Sequence, residues 1–277
     1  MAVAILLALV AIGSVVFHFV SPWWWTPIAS NWQYIDHTLI ITFWITGVVF
    51  TAVVLFTGYC VYRFRHAPGH KAHYEPESTR LETWLTAVTA LGVAAMLAPG
   101  LFVWNQFVHV PQDATDVEVI GRQWQWSYRL PGKDGRLGES DVLSIGDNNP
   151  LGVNPKDPHG QDDLVIDGDD LHVPIGKPIK VLLRSIDVLH DFYVPEFRAK
   201  MDMIPGTVTY YWFTPTRTGK FEVLCAELCG IAHSQMRGTV IVDEESDYQA
   251  WLKKQKTFAE LSAQTKTADA ADGSASR

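Results

Sequence analysis

From Thr38 to Tyr62 the chain runs without a charged side chain. About 20 apolar residues in a helix cross the hydrocarbon core of a bilayer, and this run is longer. A second apolar run extends from about Trp84 to Val108, with Pro99-Gly100 near its far end. Such a step is tolerated in a membrane helix when neighbouring groups satisfy the freed carbonyl. The segment between the runs carries Arg63, Arg65, Lys71 and Arg80, with His66, His70 and His73. The positive-inside rule places that loop in the cytoplasm. Residues 31–108 are therefore expected to form an antiparallel transmembrane hairpin, with everything after about His109 outside. Met1 to Val20 is almost wholly apolar and leads into Ser21-Pro22-Trp23-Trp24-Trp25, a cluster suited to a membrane interface. Residues 1–30 are a cleaved signal peptide or an additional transmembrane helix. No Lys or Arg precedes Arg63, so a basic n-region is missing, which favours the retained helix.

From Asp113 the pattern changes to short β-type runs. Residues 116–129 alternate through Val117 and Val119 and then the aromatics Trp124, Trp126 and Tyr128. Runs at 164–166, 177–183, 208–214, 220–224 and 239–242 follow, separated by turn pairs such as Asp167-Gly168, Pro205-Gly206 and Thr218-Gly219. This spacing predicts an all-β sandwich or barrel over residues 109–246. Residues 130–160 form a polar insert rich in Gly, Asp, Asn and Pro, expected to be a loop. In residues 247–277, a helix-like piece from Tyr248 to Leu261 precedes an Ala/Ser/Thr/Asp tail that is expected to be disordered. The formal net charge is −8, from 22 basic and 30 acidic residues, and the acidic excess lies in the β part. That balance argues against nucleic acid, whose phosphates need Lys and Arg. It suits a basic partner drawn in by charge.

The chemistry concentrates in Cys225-Ala226-Glu227-Leu228-Cys229-Gly230-Ile231-Ala232-His233-Ser234-Gln235-Met236. Thiolate, thioether and imidazole together favour copper over calcium or magnesium. A mononuclear blue-copper centre needs one Cys, two His and a weak axial Met. Cys229, His233 and Met236 supply three of these, and His190 is the best second imidazole. The extra thiol of Cys225 shifts the balance, since two cysteine sulfurs can each bridge two metals. Two Cys, two His and one Met suit a dinuclear copper site better. A Cys-x-x-x-Cys pair alone also reads as a thiol–disulfide couple, and structural zinc would leave Met236 unused. Cys60, in an apolar run, reads as a packing residue. Glu82, just before the second apolar run, reads as a carboxylate favoured by a helix N-terminus. By position alone Glu227 is an exposed loop acid and Trp124 one of several strand aromatics.

These motifs resemble subunit II of the haem-copper cytochrome c oxidases over roughly residues 30–245. The resemblance implies a cupredoxin Greek-key barrel carrying a dinuclear copper centre, anchored by the helical hairpin. It implies His190, Cys225, Cys229, His233 and Met236 as side-chain ligands and Glu227 as a ligand through its main-chain carbonyl. It also gives the Glu227 side chain a magnesium or manganese ion shared with subunit I. Within Gly121-Arg122-Gln123-Trp124-Gln125-Trp126-Ser127-Tyr128 it singles out Trp124 as the port for electrons from cytochrome c. It makes Asp187 an acid near the docking face and Glu82 the mouth of a proton channel. The implied partners are subunits I and III and cytochrome c, in a bacterial inner membrane with the copper domain on the periplasmic side. The chain departs from the family pattern at Lys200-Met201-Asp202-Met203-Ile204-Pro205-Gly206-Thr207, where an arginine is usual in place of Thr207. The 130–160 insert is longer than in compact members, and no Cys-x-x-Cys-His motif for a fused haem follows. Three rivals fit less well. A quinol oxidase subunit lacks the cysteines, a copper chaperone or thiol reductase leaves His233 and Met236 idle, and a nitrous oxide reductase needs a further large domain.

Overall fold

The computed structural model describes residues 1–21, 26–71, 74, 76–146 and 149–264. The Trp23-Trp24-Trp25 cluster and the expected tail lie outside the described residues. Three helices come first: α1 (Ala2–Val20), α2 (Gln33–Arg63) and α3 (Thr79–Val108). Each is long and apolar enough to cross a membrane. α2 and α3 begin several residues before their apolar runs, because the polar flanks continue the helix. Asp36 and Glu82 sit in the first turns, where the helix dipole favours a carboxylate. The hydroxyls of Thr38, Thr46, Thr51 and Thr57 donate to carbonyls one turn back at 2.7–2.8 Å, which satisfies them without water. Pro99 is accommodated within α3.

The chain divides into a helical unit, Met1–Trp25 with Gln33–Asn105, and a β unit, Thr26–Trp32 with Gln106–Arg277. In the helical unit α1 packs closely along α2, whereas α3 buries none of its residues. Gly58 makes the α1–α2 approach close: a Cβ there would stand 3.5 Å from the Ala4 carbonyl oxygen and 3.6 Å from Leu7 Cβ. Small residues serve helix contacts in lipid in this way.

Residues 26–32 group with the β unit. There Trp32 is buried, its Nε1 donates to the Trp212 carbonyl at 2.9 Å, and its ring meets that of Trp212 edge-on. Ten strands follow among the described residues: β1 (Thr115–Arg122), β2 (Gln125–Leu130), β3 (Leu164–Asp167), β4 (Leu171–Pro174), β5 (Ile179–Ser185), β6 (His190–Val194), β7 (Ala199–Met203), β8 (Thr209–Phe213), β9 (Gly219–Cys225) and β10 (Arg237–Asp243). They form two five-stranded sheets, ordered β3-β2-β1-β5-β8 and β4-β10-β9-β6-β7. β1–β5 and β4–β10 are parallel pairs and the other pairs are antiparallel. β5 alternates buried and half-buried residues along its whole length, the period of a strand with one face on a core. Val119, Leu183, Phe192, Phe213 and Val223 fill the interior, making a cupredoxin-like sandwich.

Residues 116–129, read as one alternating run, are a hairpin. Arg122 pairs with Gln125 across Gln123-Trp124, and a two-residue turn preserves the alternation on either side. β4, β6 and β7 went unseen because His172, His190, Asp191, Lys200 and Asp202 interrupt the apolar pattern of such short strands.

Among its described residues the insert has short 3-10 turns at Val142–Ser144 and Pro158–Gly160 and isolated antiparallel bridges Ser140–Val153 and Gly146–Asn149. It is nevertheless anchored. Leu151 and Val153 are buried with Ile120 and Phe258, and Val165 and Ile186 pack against them. The expected helix over residues 248–261 is two pieces, α4 (Glu245–Leu252) and a turn of helix from Phe258. Thr257 bridges to Leu164 between them, which holds Phe258 in that cluster.

Candidate metal centre

β9 ends at Cys225 and β10 begins at Arg237, so the cysteine loop joins two hydrogen-bonded neighbours. The Cys225 N–H donates to the Met236 carbonyl at 3.3 Å, closing the base of the loop. A 3-10 turn at His233–Gln235 then folds its second half back. β6 lies on the other side of β9, with Phe192 opposite Cys225, and Ala226 N–H donates to the Asp191 carbonyl at 3.2 Å. This register brings His190, at the start of β6, beside the loop.

The five expected side-chain ligands form one connected cluster. His190 Nδ1 lies 3.8 Å from Cys225 Sγ, and that sulfur lies 3.7 Å from Cys229 Sγ. Cys229 Sγ is 3.5 Å from His233 Nδ1 and 3.8 Å from Met236 Sδ. The Glu227 carbonyl oxygen is 3.2 Å from Cys225 Sγ, while its side chain is half-exposed. His190, Cys229 and Met236 are buried. The two sulfurs are central, with one imidazole beyond each.

The two thiols are shifted in opposite directions. Burial opposes ionisation of Cys225, but hydrogen bonding with His190 and with main-chain groups at Asp191 and Glu227 brings its thiol down to about 6. Burial and the neighbouring Cys225 push Cys229 up to about 12. The pair titrates together, and loss of the first proton opposes loss of the second. A bound cation removes that opposition, since metal ligation needs both thiolates.

Asp187, the expected docking acid, has both carboxylate oxygens turned towards the centre. Oδ1 lies 2.8 Å from His190 Nε2, and Oδ2 accepts the Gln123 main-chain N–H at 2.6 Å. Burial would raise its pKa, but the hydrogen bonds from Gln123, His190 and Val188 hold the carboxyl below its usual value. The bond on Nε2 leaves Nδ1 facing sulfur, a familiar way to fix a ligand imidazole. On the outer side, Trp124 is half-buried and its Nε1 donates to the Cys229 carbonyl at 3.2 Å. The Gln123 side-chain amide donates to the same oxygen at 2.7 Å.

Glu82 is not part of this cluster. It is exposed in the first turn of α3, in the helical unit, and accepts the Ser78 N–H at 3.4 Å. Thr207 closes a turn after Gly206 by donating its N–H to the Ile204 carbonyl at 3.0 Å. Sequence reasoning missed Gln123, Gly121 and Gly230 as parts of the site. A Cβ on Gly121 would come within 3.2 Å of the His190 ring, and one on Gly230 within 2.9 Å of Gln123 Nε2. Nothing in the sequence marks them beyond the nearness of Trp124 and Cys229.

A two-sheet β unit with a His/Cys/Cys/His/Met cluster on one loop and strand, attached to apolar helices, defines a membrane-anchored copper protein of the cupredoxin class. Residues 115–244 match the family described as the periplasmic domain of cytochrome c oxidase subunit II. The chain is 71% identical to the alternative cytochrome c oxidase subunit 2 of Bradyrhizobium diazoefficiens, over 95% of each chain. It is 29% identical to the cytochrome c oxidase subunit 2 of Cereibacter sphaeroides, over 83% of this chain and 77% of that one. Among solved structures, the periplasmic domain of subunit II (CoxB) of Bradyrhizobium japonicum is 30% identical, covering 52% of this chain and 95% of that one, with a TM-score of 0.39. The chain belongs to the cytochrome c oxidase subunit II family.

Proposed function

We propose that this chain is the electron-receiving subunit of a terminal respiratory oxidase in a bacterial inner membrane. It takes electrons singly from reduced cytochrome c and delivers them to the haem of subunit I, where oxygen is reduced and protons are pumped. The observation that carries the reading is the unbroken line of ligating atoms, His190–Cys225–Cys229–His233 with Met236 beside it, at spacings of 3.5–3.8 Å. Those residues, with the Glu227 carbonyl, would hold two copper ions. Copper bound there supplies a one-electron couple.

The chain's own residues do the rest. Asp187 holds the His190 ring, so little has to move when charge changes. Trp124 gives the donor an aromatic path that ends on the Cys229 carbonyl. The acidic excess of the β unit draws in a basic cytochrome c. The Glu227 side chain, which is half-exposed, would bind magnesium or manganese together with subunit I. Glu82, exposed at the start of α3, is assigned to the mouth of the proton channel, and subunit III completes the assembly.

The test is metal analysis and electron paramagnetic resonance of the intact oxidase. Two coppers per chain sharing one unpaired electron equally is the expected result. One copper per chain, an electron localised on one ion, or preferential zinc loading would end the dinuclear reading. In oxidase loaded with manganese, Glu227→Ala should lose the interfacial manganese signal and keep the copper one.

A further inference from the structure

The turn between β1 and β2 reaches the centre from both sides through one residue. The Gln123 main-chain N–H donates to Asp187 Oδ2 at 2.6 Å, and the other oxygen of that carboxylate holds His190 Nε2 at 2.8 Å. The Gln123 side chain reaches the opposite flank, where Nε2 donates to the Cys229 carbonyl at 2.7 Å. Trp124 Nε1 donates to that same oxygen at 3.2 Å. One carbonyl therefore accepts from two adjacent side chains and uses both its lone pairs.

Gly230 makes this arrangement possible. Its φ of +121° suits glycine, and it turns the peptide after Cys229 outward. A Cβ there would stand 2.9 Å from Gln123 Nε2 and 3.2 Å from the Trp124 ring, so any larger residue would push both away. Gln123 is itself exposed, so the interior does not need its amide for packing. An exposed amide that spends its strong donor on a main-chain carbonyl of a ligand loop is placed for geometry.

We infer that Gln123 is a positioning residue for electron transfer: it fixes the Cys229 carbonyl and, through it, the seat of the Trp124 indole against the copper loop. This rests on the proposed dinuclear copper reading and on Trp124 as the port. The amide bonds to the main chain of the loop rather than to a ligand side chain. Without it, the carbonyl keeps only the longer of its two bonds, and the indole loses the neighbour that limits its swing.

The test compares Gln123→Leu, which keeps the bulk and removes the donors, with Gly230→Ala, which disturbs the same contact from below. Both are made in the intact oxidase. Copper content, the paramagnetic spectrum, and the rate of transfer from reduced cytochrome c as a function of donor concentration are measured. The expected result is an unchanged half-saturating donor concentration with a maximal transfer rate lowered about fivefold, the factor corresponding to one net hydrogen bond. An unchanged maximal rate in both variants overturns the assignment. So does a raised half-saturating concentration at constant maximal rate, which would make Gln123 a docking residue. If Gln123→Leu loses copper, Gly230→Ala decides. Failure of the underlying reading shows separately, as a wild-type oxidase without the shared-electron copper signal.

Discussion

Asp187 divides its carboxylate between an imidazole and a main-chain amide, and that division explains much of the centre's order. A ligand imidazole whose second nitrogen is unheld can rotate and change tautomer, and losing such a partner typically costs about 10–100-fold in metal affinity. Asp187→Ala should therefore weaken copper binding by about that factor. Asp187→Asn, which keeps an acceptor for Nε2–H, should weaken it less. Competition titration against a chelator measures both, and equal affinities for wild type and Asp187→Ala would show that Asp187 does not orient the ring. The residues that cluster here were the ones expected from the sequence, because two of the chain's three cysteines fall with a histidine and a methionine in one short loop. His190 was legible as the histidine following a strand. The hydrogen bonds of Asp187 and Gln123 were not. They depend on which way an oxygen or an amide points, and residue type carries no such information.

At the level of elements, the insert shows how a polar segment becomes part of a folded unit. Arg129, on β2, is buried and spends its guanidinium on three sides. Nε pairs with Glu118 at 2.8 Å, Nη1 with Asp163 at 2.6 Å and with the Gly138 carbonyl at 2.8 Å, and Nη2 with Ser140 Oγ at 2.8 Å. Arg184, on β5, pairs with the other Glu118 oxygen at 3.1 Å and donates to the Leu151 carbonyl at 2.6 Å. Two strand arginines thus hold the insert at Gly138, Ser140 and Leu151, while Leu151 and Val153 close the apolar cluster beneath. Removing one partner of a buried pair leaves an uncompensated charge and costs about 3–5 kcal/mol. Arg129→Met should lower the stability of the β unit by about that amount and open the insert to proteolysis, because Asp163 stays buried without its cation and Glu118 keeps only Arg184. Thermal unfolding and limited digestion of the detergent-solubilised chain are the measurements. A cut rate equal to wild type would show that the apolar cluster holds the insert unaided. The sequence made this segment look like a loose loop, since its anchors are main-chain carbonyls and two apolar residues scattered among polar ones. The membrane helices were legible because lipid demands long uncharged runs. The short strands β4, β6 and β7 were not, because polar side chains such as His172, His190 and Lys200 break their alternation.

At the level of the whole molecule, the chain separates its tasks by charge. The runs that cross the membrane are almost free of ionisable groups, and basic and acidic residues balance before residue 109. The net −8 therefore resides on the β unit, which carries both the copper cluster and Trp124. A field of that sign acts on a basic donor over a distance set by salt. The Debye length is about 30 Å at 0.01 M ionic strength and about 8 Å at 0.15 M, so attraction across the encounter distance is lost between these limits. Steered associations are accelerated by roughly 10–1,000-fold when unscreened. The second-order rate of reduction by cytochrome c should then fall by at least about tenfold over that range. Reduction by a small uncharged reductant should stay nearly constant, because it senses no long-range field. Trp124→Phe separates docking from transfer in the same stopped-flow experiment. Its salt dependence should match that of wild type, since the net charge is unaltered, while the first-order transfer step slows at every ionic strength. A salt-independent rate with cytochrome c would remove charge steering from the account. A Trp124→Phe variant with unchanged transfer would move the port elsewhere on the β unit.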